Sequence, residues 1–316
     1  MTRPRRLHRG IYTLLGLLAA GALSACASQS EPAPKPANPE PVIKLPPAPP
    51  YAEVARAYNQ RIAGLTQMRG SAVVRIDYVN EKGDRERTQG EGLIQIVTPD
   101  RLALGIGKVS TTLFWLGSDD KRYWWFDLTG DTRVAFVGTH DRFDPELGQR
   151  LGIVAPPRDL IRLLSVLPLP EGPKAGRTDR SSDGAYVGVF LPLAAGGTQR
   201  FWLDPNDYFP KQVDLLDASG ACTLRAKLER PVMVTTSTGG NLPRLPGRIT
   251  IHHLASNALF ILDLDDLTDG KDRISPKAFE FDELVKTFHP DKIVNLDERS
   301  RPPATPSTPP APAPRP

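Results

Sequence analysis

The chain has 316 residues, 33 of them proline, and a formal net charge of +4. Nine prolines fall in 31–50 and eight in 301–316, so both flanks are too proline-rich to pack and the foldable part is about 51–299, enough for one sizeable core. Arg3, Arg5, Arg6 and Arg9 carry the whole charge excess, which removes the clustered basic face that nucleic-acid binding requires, and the absence of a repeat or a second hydrophobic span excludes a solenoid or a polytopic membrane protein.

Residues 1–25 read as a secretory signal. A basic segment, Arg3 to Arg9, precedes an apolar stretch, Ile11 to Leu23, that is too short for a stable bilayer anchor. The stretch ends in Leu23-Ser24-Ala25-Cys26, which resembles the lipobox of bacterial lipoproteins. The resemblance implies cleavage before Cys26, lipidation of its sulfur and acylation of its new amino group. Each buried methylene contributes about 0.8 kcal/mol, so several chains anchor durably where one does not. An ordinary cleaved signal and an uncleaved anchor helix are the alternatives. Ala27, standing where aspartate would favour inner-membrane retention, leans toward an outer-membrane protein facing the periplasm. Residues 26–50 then form a lipidated tether, rising about 3.1 Å per residue where it is polyproline II. The tail, 300–316, is expected to be disordered, with a wall- or partner-binding role as the alternative.

The folded part opens with a helix over Tyr51 to Thr66, where Val54, Tyr58, Ile62 and Leu65 recur at helical spacing. Gly70 breaks it. Strands follow over Ser71 to Val79 and Arg85 to Val97, joined by the turn 80–84, with Gly90 and Gly92 marking a bend or bulge. Arg101 to Gly107 alternates, with Leu102, Leu104 and Ile106 on one side. Thr112 to Leu116, Arg122 to Phe126 and Thr132 to Gly138 complete six strands joined by short turns, an antiparallel meander. A short helix after Pro156-Pro157 puts Leu160, Leu163, Leu164 and Leu167 on one face; at about ten residues it is marginal alone and must lie on something apolar. Six further strands are read over Ala185 to Leu191, Gln199 to Leu203, Pro210 to Asp217, Ala221 to Glu229, Arg248 to Leu254 and Ala258 to Leu267. A last helix spans Phe281 to Phe288, before His289-Pro290. The sum is one domain of roughly twelve strands and three helices.

The order of these pieces resembles the LolA/LolB/LppX superfamily of periplasmic lipoprotein carriers and lipid-binding lipoproteins. The residues that carry it run from the first helix into Leu65-Thr66-Gln67-Met68-Arg69-Gly70, then Thr98-Pro99-Asp100-Arg101-Leu102 and Tyr123-Trp124-Trp125-Phe126-Asp127. Phe201-Trp202-Leu203-Asp204-Pro205, Phe209 to Val213, Leu245 to Ile249 and Phe288-His289-Pro290 complete it. The resemblance implies a mainly β (α+β) fold: an antiparallel sheet curved into an unclosed half-barrel, with about three helices covering its concave face. It implies that this face binds acyl chains or lipidated proteins, without catalysis. Leu102, Leu104, Phe114, Trp124, Phe126 and Trp202 are the candidate lining, under a lid of Leu160, Leu163, Leu164 and Leu167; ordinary core packing is the alternative for each. Membrane-anchored acceptors of the family expose an apolar residue on a loop, for which Leu113 and Phe114 are the candidates here.

Little else in the sequence carries chemistry. His252 and His253 diverge on a strand and cannot share one metal ion. The acidic run Asp263, Asp265, Asp266 and Asp269 lacks the calcium-loop order and reads as a solvated face. Cys222, the only cysteine besides Cys26, reads as a buried inert thiol. No nucleotide or serine-hydrolase motif is present, so no cofactor and no metal are expected. The expected partners are the membrane, through the anchor, and an acyl chain or lipoprotein, with the protein a monomer. A structural or interaction lipoprotein is the second reading, and an envelope hydrolase the third.

Overall fold

The computed structural model describes residues 46–79, 83–108, 111–150, 154–172, 174–194, 196–237, 243–271 and 273–299. Cys26, the signal, most of the tether and the tail lie outside the described residues. The helix α1 (Tyr51–Arg61) leads into six strands: β1 (Gln67–Val79), β2 (Arg85–Val97), β3 (Arg101–Lys108), β4 (Thr111–Ser118), β5 (Arg122–Asp127) and β6 (Val134–Thr139). Two short helices, α2 (Pro145–Arg150) and α3 (Pro157–Leu163), interrupt the sheet. It resumes as β7 (Arg177–Arg180), β8 (Val187–Pro192), β9 (Thr198–Leu203), β10 (Pro210–Leu216), β11 (Cys222–Met233), β12 (Arg244–His253) and β13 (Ala258–Thr268). The chain closes with α4 (Phe281–Phe288), β14 (Lys292–Asn295) and α5 (Leu296–Arg299). Among the described residues, these elements and their core lie within 46–299.

All fourteen strands form one sheet in the order β14-β6-β5-β4-β3-β2-β1-β13-β12-β11-β10-β9-β8-β7. Two meanders meet where β1 pairs with β13, and the sheet does not close on itself. The expected mainly β, unclosed half-barrel is therefore what the chain forms. It has two strands more than the sequence pattern gave, β7 and β14, and β14 runs parallel to β6, so the sheet is not purely antiparallel.

The main core covers one face, here the inner face. It gathers Ile94, Ile96, Leu102 and Leu104 from the first meander, Val187, Phe201, Leu203 and Val213 from the second, and the buried sides of α1 and α3. The first helix is shorter than its periodicity suggested: it stops at Arg61, and Leu65 packs from the turn that follows, past Gly64 at φ +77°. Similarly, α3 is only seven residues long, with Pro157 in its first turn, where no backbone N–H is needed. Burial of Leu160, Ile161, Leu163 and Leu164, none more than 5% exposed, holds it in place at about 2 kcal/mol each.

No bulge occurs at Gly90 or Gly92 in the β1–β2 ladder, which runs continuously through both, and the β2–β3 ladder runs continuously through Gly92 from Glu91. Gly92 is instead a close approach, since a Cβ there would lie 1.8 Å from the Gly105 carbonyl oxygen.

Candidate functional site

Alternation along β3, β4 and β5 places one row of apolar side chains across the inner face. Leu104 lies opposite Leu116, Leu116 opposite Trp125, and Trp125 opposite Phe136. Trp125 and Phe136 stack with ring centroids 4.5 Å apart. Above this row is a cavity of about 560 Å³, within the range of about 300–1,000 Å³ typical of ligand pockets. Its apolar wall includes Ile76, Ile106, Phe114 and Leu116, with Leu160 of α3 and Phe260 of β13 closing it at depth.

Polar groups gather on the cavity's β1–β2 side. Tyr78 donates its hydroxyl hydrogen to the Glu86 carboxylate at 3.1 Å. Burial raises the Tyr78 phenol above its usual range, and the Glu86 and Asp127 carboxylates push it further. The phenol therefore stays protonated at neutral pH. Arg87, Thr88 and Gln89 of β2 add to this polar side, and Lys108 of β3 and Asp127 at the end of β5 also line the cavity. An apolar wall with a few convergent polar groups suits an amphiphile whose chain is buried and whose head remains wet.

The rest of the interior is packed. A void of only about 10 Å³ remains beneath α3, lined by Leu102, Leu104, Leu160 and Leu164 among others. Toward the second meander, α1 fills the space: Tyr58 meets Phe201 edge-on at 5.7 Å, and Arg61 donates to the carbonyls of Ser165 and Arg244.

The predicted residues thus separate into three groups. Leu104, Phe114 and Leu160 line the cavity. Leu102, Leu163, Leu164 and Leu167 are on the same inner face but belong to the packed core. Trp124, Phe126 and Trp202 are on the other face and do not reach the cavity. Trp124 and Phe126 pack under α4, against Phe281 at 5.9 and 5.7 Å, and Trp202 packs against Phe190 at 6.2 Å. Leu113 and Phe114 lie within β4, rather than on a projecting loop. Sequence reasoning missed Trp125, Leu116 and Ile76. No signal in the sequence could separate Trp125 from Trp124, because Tyr123 and Trp125 on one parity of β5 and Trp124 and Phe126 on the other are all aromatic.

Other predicted features resolve similarly. His252 is exposed on the outer face and His253 is buried on the inner, so the pair diverges as alternation requires. Asp263 is not simply solvated: it is 15% exposed and lies 3.3 Å from Arg75 and 3.2 Å from Arg248. Cys222 is half-buried rather than buried; desolvation raises its thiol, which keeps it protonated and unreactive. Among the described residues no helix is long and apolar enough to cross a membrane, and no group of His, Cys, Asp or Glu stands at metal-binding spacing.

No protein-family model matches the sequence, and no curated protein matches it. Solved structures do. A DUF1329 family protein from Desulfovibrio piger is 10% identical, with a TM-score of 0.50 over 74% of this chain and 97% of that one. A LolA superfamily protein from Nitrosomonas europaea is 13% identical, with a TM-score of 0.43 over 70% and 93%. An outer membrane lipoprotein-sorting protein domain from Vibrio parahaemolyticus is 11% identical, with a TM-score of 0.41 over 75% and 97%. At 10% identity, what this chain shares with the Desulfovibrio piger protein is the fold alone, which here is an unclosed half-barrel.

Proposed function

We propose that this protein is an envelope lipoprotein that binds acyl chains of a lipid or a lipidated protein in the inner cavity, as a carrier or acceptor without catalysis. The observation that carries the reading is the cavity of about 560 Å³, apolar along Ile106, Phe114 and Leu116 and polar at Tyr78 and Glu86. Each methylene taken out of water contributes about 0.8 kcal/mol, so an alkyl chain is held without directional contacts. Lipidation of Cys26 would keep the domain at the outer membrane, on a tether of about 25 residues. The test is lipid mass spectrometry on the protein purified from its host, with uptake of a fluorescent fatty acid. No co-purifying lipid and no uptake reject the reading.

The dense packing around α1 favours a second reading, a scaffold lipoprotein whose half-barrel is mostly filled. It predicts the opposite outcome in the same two measurements.

A further inference from the structure

A second hollow, of about 650 Å³, lies on the outer face across β9 to β12, beside the β7–β8 connection. Five basic side chains, Lys211, Arg225, Lys227, Arg230 and His252, line it against a single acid, Glu229. Arg230 is paired with Asp265 at 3.2 Å, so the surplus positive charge comes from the arginines around Asp214 and from lysines held only by exchangeable pairs. Arg225 shares the buried Asp214 with Arg200, and one carboxylate cannot neutralise two guanidinium groups. Lys211 meets Asp204 at 3.4 Å and Lys227 meets Glu229 at 2.8 Å; both lysines are exposed, and such pairs contribute little and exchange readily for another anion.

The remaining wall includes three aromatic side chains, Tyr186, Trp202 and Phe209. Tyr186 is 38% exposed, and Trp202 lies under the Arg200 guanidinium at 5.4 Å. Amphipathic rings beside lysine and arginine are the side chains that settle at the boundary between water and lipid headgroups.

The path of the chain supplies an independent observation. Thr178 of β7 donates to the Pro49 carbonyl at 2.6 Å, and Arg180 donates to the Pro47 carbonyl at 3.4 Å. Residues 46–50 therefore run beside the edge strand β7. Ser181 and Tyr186, in the β7–β8 connection, form the near wall of the hollow. The segment that leads back toward Cys26 leaves the fold next to this basic, aromatic surface.

We propose that the outer hollow seats the phosphate headgroups of an anionic bilayer, so that the outer face of β9 to β12 rests on the membrane surface. This goes beyond acyl binding in the inner cavity and uses none of its residues. The test uses residues 27–316, which contain the whole described fold and no lipid anchor, with phosphatidylcholine vesicles prepared with and without phosphatidylglycerol. The protein pellets with the phosphatidylglycerol vesicles and is released by salt, as the screening length falls from about 10 Å at 0.1 M to about 3 Å at 1 M. Each cation near such a surface contributes about fivefold in affinity, so Lys211→Glu with Lys227→Glu weakens binding by more than about tenfold, whereas Lys121→Glu, at the β4–β5 turn, leaves it unchanged. Brominated lipid quenches the tryptophan emission, and Trp202→Phe removes part of that quenching. Equal pelleting with both vesicle types, or phosphatidylglycerol binding untouched by the double reversal, overturns the proposal. So does saturable binding of inorganic phosphate or of an acidic peptide without vesicle binding, which would make the hollow a site for soluble anions.

Discussion

The Asp214 carboxylate has no exposed surface and lies 2.5 Å from the Arg200 guanidinium. Arg225 meets it from the other side at 2.9 Å, and Gln212 donates to it at 2.9 Å. The register makes this inevitable: Asp214 on β10 is directly opposite Arg200 on β9 and Arg225 on β11. The carboxylate in turn raises the Arg225 guanidinium above its usual range.

Asp214→Asn leaves two guanidinium groups facing a neutral amide. Breaking a buried pair costs about 3–5 kcal/mol; both arginines retain some solvent, which reduces the expected loss to about 2–3 kcal/mol. The urea midpoint measures it, and a loss below about 1 kcal/mol would show that solvent already carries the arginines.

The cavity predicts a filling mutant. Leu116→Trp on β4 places a larger side chain over the Leu104–Trp125 row, inside the open space, so uptake of a fluorescent fatty acid falls sharply while thermal stability changes by a few degrees at most. Aspartate at Leu163 and Leu164 is not an equivalent test: both side chains are buried in the core, and the double variant is expected to unfold.

Arg61 is a buried cation that joins α1, the end of α3 and β12. It donates to the Ser165 carbonyl at 2.7 Å, and its guanidinium lies 4.5 Å from the centre of the Tyr58 ring. Arg61→Met keeps much of the stem packing but leaves the Arg244 carbonyl without its Arg61 donor and the Ser165 carbonyl with the Tyr58 hydroxyl alone, at an expected cost of about 1–3 kcal/mol. Faster amide exchange in α1, with β3 and β4 unchanged, localises the effect.

Gly92→Ala is expected to cost at least about 2 kcal/mol, because the added methyl meets the Gly105 backbone rather than a side chain that can turn away. Gly83→Ala provides the contrast: its added Cβ meets nothing within 4 Å, although φ +86° still strains it. Denaturation curves of the two variants compare steric clash with backbone strain.

Burial lowers the affinity of His140 and His253 for a proton relative to the unfolded chain. Below the ordinary histidine range of about 6.5, the unfolded state therefore takes up more protons, and stability falls as the solution is acidified from about pH 7.5 to pH 5.5. The lowered carboxylates, Asp217 and Asp269 among them, lose their stabilising contribution only at lower pH, so this window belongs to the histidines. His140 Nε2 lies 2.9 Å from the Asp119 carbonyl and is the donor, because a carbonyl can only accept. His140→Gln keeps a donor there and should flatten part of the slope; an unchanged slope would assign it to other groups.

Much of the fold was legible because its signals are local. The bounds of β2, Arg85–Val97, and of α4, Phe281–Phe288, coincide with the alternating and helical runs in the sequence. The Asp217-Ala218-Ser219-Gly220 turn lies between β10 and β11, where its composition put it. By contrast, β7 reads Arg-Thr-Asp-Arg, with no apolar alternation. It is a strand because β8 pairs with it on one side and residues 46–50 cover the other. The strand β14 depends likewise on β6, some 150 residues earlier.

The sequence by itself determined the proline-rich flanks and a β-rich domain whose strands alternate. It also required Trp124 and Trp125 to face opposite ways, since successive strand residues do. Only the tertiary structure decided which of them faces inward. Alternation fixes a period but not its sign; the sign is set when α1 and α3 bury one face of the completed sheet and α4 covers Trp124 and Phe126 on the other. The balanced charge concealed a second decision of this kind. Pairing of β10 with β11 gathers Lys211, Arg225 and Lys227 on one outer surface, an arrangement that a count over the whole chain averages away.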